Sequence, residues 1–234
     1  MHLRYRFTSD DGSERRFDVA LEPKTLALQL PVLEGPPPAW AALDNERCPN
    51  CPLSSATSPQ CPVAMALDPV ITEFHAAISH HEATITIEAP GRTYSKRAAL
   101  QSGISALIGL LMSTARCPVL DKMRPMVRTH LPFSTLDETM YRAASMYLLA
   151  QYVVAQRGGT PNWDLGGLAD IYAEVHTVNK AFIKRLRTLQ IEDASLNGLV
   201  NLDCFASFTT MTLRGDAAGA FEGLFAAYVP EAGA

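Results

Sequence analysis

The sequence predicts an α+β protein: a small antiparallel β-sheet made of two hairpins, followed by a C-terminal helical bundle of about five helices. Three observations carry this reading. Apolar and polar residues alternate in paired runs near the N-terminus and again from Ala83 to Tyr94. After about Lys96 apolar residues recur at helical spacing instead. Hydrophobic residues make up 47% of the 234 positions, ample for a buried core without an added staple. The change of character divides the chain into a β region over 1–97 and a helical region over 98–234.

Leu3, Tyr5 and Phe7 alternate with Arg4 and Arg6, Asp11-Gly12 marks a turn, and Phe17, Val19 and Leu21 resume the alternation. This is a hairpin signature. Residues 22–47 carry Pro23, Pro31 and Pro36-Pro37-Pro38, too much proline for a central strand or a continuous helix, and are predicted to form an extended arm. A Cys-Pro loop over 48–69 follows. Val70, Ile71, Phe74, Ala77 and Ile78 predict a short helix from Val70 to His81. Ala83, Ile85 and Ile87, then Pro90-Gly91 and Tyr94, give the second hairpin, which pairs with the first.

Leu100, Ile104, Leu107, Ile108 and Leu111 fall on one helical stripe. Cys117-Pro118 opens a short helical segment interrupted by Pro125, and His130-Leu131-Pro132-Phe133 connects onward. Thr135 and Glu138 have the spacing of a capping box heading a helix to about Arg157, stopped by Gly158-Gly159-Thr160-Pro161. Leu168, Tyr172, Val175, Phe182 and Leu186 trace the clearest amphipathic helix. From Asp193 to Leu213 apolar residues lie all round the helix, predicting a central position in which Cys204 fills core space. A last short helix ends near Tyr228.

A net charge of −4 supplies no electrostatic footprint for a phosphate backbone, so no nucleic acid is expected as partner. The longest apolar stretch, Ile104 to Met112, is far short of the roughly 20 residues that cross a bilayer. The charged, alternating start lacks the apolar core of a secretory signal, which predicts a soluble, cytoplasmic chain. A Gly-rich phosphate loop, a G-x-S-x-G elbow and an H-E-x-x-H helix are all absent from the sequence.

The chemistry lies in the cysteines. Four of the five are followed directly by proline, at Cys48, Cys51, Cys61 and Cys117, a coincidence of roughly one in ten thousand for independent draws at this composition. A cysteine at a helix N-cap with proline at the first helical position meets unpaired backbone N–H groups and the positive end of the helix dipole, which favour the thiolate. In a reducing compartment such thiolates read as ligands rather than disulfides. Cys48 and Cys51 form a C-x2-C grip, Cys61 follows ten residues later, and Cys117 completes the set. The four are predicted to hold one metal centre that joins the loop to the helical half.

Several centres suit four thiolates. An iron-sulfur cluster tolerates irregular spacing, and the Cys-Pro step is similar to a cluster-ligand step in bacterial ferredoxins; it leads as the expected cofactor, for electron transfer or redox sensing with an unspecified protein or redox partner. Zinc is the alternative, in a structural site of an interaction module: the CPxC knuckle resembles the first half of a zinc ribbon, although no second C-x2-C follows. A third reading is a heme sensor, because isolated Cys-Pro steps resemble heme-responsive motifs. Cys48-Pro49-Asn50-Cys51 also resembles the CPxC of glutaredoxin-like enzymes, but a triple-proline arm precedes it where that family has a strand.

A separate set, His130, Glu138 and Arg142, offers an acid-base group, a carboxylate and an anion clamp. Helix capping by Glu138 and an i,i+4 ion pair from Glu138 to Arg142 account for the same residues structurally. His75, His80 and His81 are spaced poorly for a metal and read as surface residues. His176, with Tyr172, Asn179, Asn201 and Asp203, reads as a polar network between two helices.

Overall fold

The computed structural model describes residues 1–30, 35–216, 219 and 221–228. β1 (His2–Ser9) and β2 (Glu14–Ala20) form the first hairpin, β3 (Glu82–Ala89) and β4 (Arg92–Ala99) the second. Antiparallel pairing of β1 with β3 joins them into one sheet of order β2-β1-β3-β4, with Tyr5 opposite Ile87 and Phe7 opposite Ile85. The alternation decides which face is dry. Leu3, Tyr5, Phe7, Val19, Ala83, Ile85 and Ile87 are buried, while the opposite face carries ion pairs such as Arg4–Asp18 (2.6 Å) and Arg97–Asp10 (2.7 Å).

The dry face is covered by α1 (Pro62–Glu73) and α2 (Leu100–Thr114), whose Ile104, Leu107 and Ile108 are fully buried. Gly103 makes the closest approach: a Cβ there would lie 2.6 Å from the Phe7 ring and 2.7 Å from the Ile85 side chain. A 3-10 stretch, Leu120–Thr129, leads to α3 (Leu136–Gln156), α4 (Gly166–Arg187) and α5 (Asp193–Asp216), and a short 3-10 turn spans Glu222–Phe225. Thr135 and Glu138 form the predicted capping box on α3. α4 and α5 pack together, and α5 also lies on α2. The main core includes residues of the sheet, α1, α2 and the helices beyond, among them Phe182, Leu186 and Leu199.

Three local expectations are corrected. The helix expected from Val70 runs instead from Pro62 to Glu73. Pro69 sits inside it without an N–H to donate, but burial of Val63, Ala64, Ala66, Leu67, Val70 and Ile71 along one side carries the helix through. The arm is not simply extended: Leu26, Ala27, Leu28, Ala41 and Leu43 are buried, and Ala39–Ala41 is a 3-10 turn. Pro31, part of that reading, lies outside the described residues. Finally, α5 is not enclosed all round, since Phe208 and Met211 are exposed and Cys204 is an exposed free thiol rather than a core residue. Small residues, Ala194, Ser195, Gly198 and Ala206, form much of its buried side instead. Among the described residues no helix is long and apolar enough to cross a membrane.

Candidate metal centre

The four Cys-Pro cysteines come from three separate stretches of backbone that local hydrogen bonds bring to one place. Cys51 N–H donates to the Cys48 carbonyl at 3.0 Å, closing the turn of the C-x2-C grip. The Asn50 side chain at the tip of that turn donates to the Glu174 carbonyl on α4 at 3.1 Å. Leu43 N–H donates to the Pro59 carbonyl (2.9 Å) and Cys61 N–H to the Ala41 carbonyl (2.8 Å), so the arm and the end of the loop run side by side. Cys61 then becomes the N-cap of α1 with Pro62 at the first helical position, although the sequence reading placed it in a loop. Cys117 enters from the turn after α2, where its carbonyl accepts from Asp121 N–H at 2.8 Å.

Cys61 is buried and the other three are partly buried, and all four pack on the same core. Their electrostatics show how near they are. The Cys48 thiol is pushed up to about 12, first by burial and then by the negative charge that Cys61, Cys117 and Cys51 would carry as thiolates. Burial likewise raises Cys61 and Cys117. Against that trend, the N–H groups of Ala64 and Val63 face Cys61, and those of Leu120 and Val119 face Cys117. At Cys61 the approach stops short of a formed capping hydrogen bond. Among the described residues no three His, Cys, Asp or Glu side chains stand close enough together to grip a single ion.

One residue beside these thiols escaped the sequence reading. Arg185, near the C-terminal end of α4, is 1% exposed, and its guanidinium lowers the pKa of both Cys48 and Cys61. It donates to the carbonyls of Trp40 (3.2 Å), Ala42 (3.0 Å) and Leu43 (3.2 Å), while its Nε is buried with no partner among the described residues. A lone charged position on the apolar stripe of α4, between Phe182 and Leu186, was the available signal.

The second candidate set is only partly assembled. His130 and Arg142 both line a cavity against α2, but Glu138 does not. Glu138 is held at the head of α3 by the capping box, and Arg142, instead of pairing with it, donates to the Met126 carbonyl at 2.8 Å. His130 Nε2 lies 2.5 Å from the Tyr5 hydroxyl, and burial, then the Arg142 charge, lower its pKa to about 4. His130 is therefore neutral near pH 7, and the Tyr5 hydroxyl beside it also donates to the Ala106 carbonyl at 3.3 Å. His176 and Asp203 pair at 2.6 Å between α4 and α5, and His75, His80 and His81 are exposed.

Fold and sequence together describe an α+β protein in which four Cys-Pro thiols from three stretches of backbone pack on one core, with Arg185 beside Cys48 and Cys61. The chain belongs to the family described as a domain of unknown function, DUF6901, whose model matches residues 3–226. No curated protein and no solved structure matches it.

Proposed function

We propose that this chain binds an iron-sulfur cluster through Cys48, Cys51, Cys61 and Cys117 and serves electron transfer or redox sensing. The observation that carries this reading is that the four Cys-Pro thiols pack on one core and feel one another's charge, with the buried cation Arg185 beside Cys48 and Cys61. Protonated thiols have little reason to share a poorly solvated site with a guanidinium. Four thiolates on a metal centre have one, because an anionic sulfur-rich group is stabilised by nearby positive charge and by N–H donors.

The irregular spacing of the four cysteines in the sequence favours a multinuclear centre over a single zinc. A tetrahedral zinc site draws four sulfurs to about 2.3 Å from one ion, whereas a cluster spreads them over several irons. Backbone N–H groups from Val63, Ala64, Val119 and Leu120 would then favour the reduced state, which carries the greater negative charge. Partial exposure of Cys48 and Cys51 leaves one side of the site near the surface, where a redox partner protein reaches it.

The test is the absorption spectrum of anaerobically purified protein. A brown sample with broad charge-transfer absorption that bleaches in air supports the cluster. A colourless sample with one zinc per chain favours the structural interaction module instead, and a Soret band on hemin addition favours the heme sensor.

A further inference from the structure

A cavity of about 490 Å³ opens between α2, the 3-10 stretch Leu120–Thr129, and helices α3 to α5. Its size falls in the range of small-molecule sites. Most of its wall is apolar, with Met123, Met126, Val127, Leu202 and Phe205 among the side chains. Its charged residues are of one sign: Arg142 and Lys96 line it, and no Asp or Glu does among the described residues. Lys96 stands over the Phe133 ring at the wall, 5.7 Å from its centroid.

Arg142 is the group that gives the cavity a polarity. Its Nη2 is committed to the Met126 carbonyl, but its Nε is buried without a partner. Such a donor is costly unless an acceptor meets it. The residues closest to it electrostatically are His130, Tyr172 and Tyr94, with Glu138 a weaker influence held on the helix cap. Neither His130 nor Tyr172 carries negative charge at neutral pH: His130 is uncharged, and burial raises the Tyr172 phenol.

From this cavity we infer that the protein binds a small amphipathic monocarboxylate, its carboxylate on Arg142 and its apolar body against the methionine-lined wall. A guanidinium offers a carboxylate a planar pair of donors, and Met side chains adapt to an alkyl or aryl body. A phosphate monoester, with two charges, suits the cavity less well, because most of its wall is apolar and Arg142 is already partly committed to the Met126 carbonyl. The inference stands independently of the cluster reading.

Isothermal titration with decanoate, with decanol as its uncharged counterpart, tests it. Decanoate is expected to bind at about 10–100 μM and decanol at least about tenfold more weakly. In Arg142→Met, checked for folding by circular dichroism, decanoate should fall to the level of decanol, with decanol unchanged. Ala106→Phe, which fills the cavity from α2 and leaves Arg142 intact, should abolish binding of both. No heat from decanoate with folded wild-type protein at ~1 mM overturns the proposal. Equal affinity for decanol does so too, as does a folded Arg142→Met that keeps the preference or an Ala106→Phe that still binds. If Arg142→Met fails to fold, the wild-type comparison and Ala106→Phe decide the matter.

Discussion

Arg185 and Leu43 stand 142 positions apart in the chain, yet the guanidinium of one donates to the carbonyl of the other at 3.2 Å inside the protein. With its bonds to Trp40 and Ala42, this single side chain fastens the proline-rich arm to α4. The arm in turn holds Cys61 in place through the Ala41 carbonyl.

Replacing Arg185 by Met should therefore do two things. Three carbonyls in the arm lose a charged donor, which predicts a loss of about 3 kcal/mol or more in urea unfolding. The Cys48 and Cys61 thiols lose a neighbouring cation, so their pKa values should rise further, seen as slower alkylation at pH 9 in metal-free protein. Unchanged stability would mean that the arm is held by packing alone.

Gly103→Ala probes the contact between sheet and helix. Helix propensity alone would make the change stabilising by up to about 1 kcal/mol. The added Cβ, however, meets Phe7 and Ile85 well inside contact distance, at 2.6 and 2.7 Å. Overpacking should win, with a net destabilisation of about 1–3 kcal/mol in thermal or urea unfolding.

Stability should fall on mild acidification because of His130. Its folded pKa is about 4 against an ordinary 6.5, so between these values the unfolded chain binds more protons than the folded one. The contribution is fully present above pH 6.5 and is lost as pH falls through the window towards 4. Its ceiling is about 3 kcal/mol, less where solvent reaches the half-buried ring. Urea titrations at pH 7.5, 5.5 and 4.5 should show this slope in the wild type and a flatter one in His130→Gln.

Much of this architecture was legible in the sequence, and the failures have physical reasons. Strict alternation in Leu3-Tyr5-Phe7 and Ala83-Ile85-Ile87 has one meaning for a half-buried sheet, and both hairpins formed where it appeared. Capping chemistry placed the start of α3 because Thr135 and Glu138 are local partners. Pro69 disguised α1, since a proline's lost hydrogen bond is visible in sequence while the burial that offsets it is not. Cys204 was misplaced for a related reason: Leu202 and Phe205 made its segment look enclosed, but α5 meets its neighbours through small residues. At the candidate centre the Cys-Pro steps drew attention to the four thiols, whereas the lone charge on the α4 stripe hinted that Arg185 is buried but not which carbonyls, more than 140 positions away, it meets.

The most direct measurement is iron, sulfide and zinc per chain in anaerobically purified wild type and Cys117→Ser. Cys117 is the proposed ligand furthest in sequence from the others and the one whose membership rests most on the fold. The account predicts iron and sulfide in near-equal amounts in the wild type and a loss of most of both in Cys117→Ser, with the protein still folded. Iron and sulfide contents untouched by the substitution, or a wild type holding neither, would contradict it.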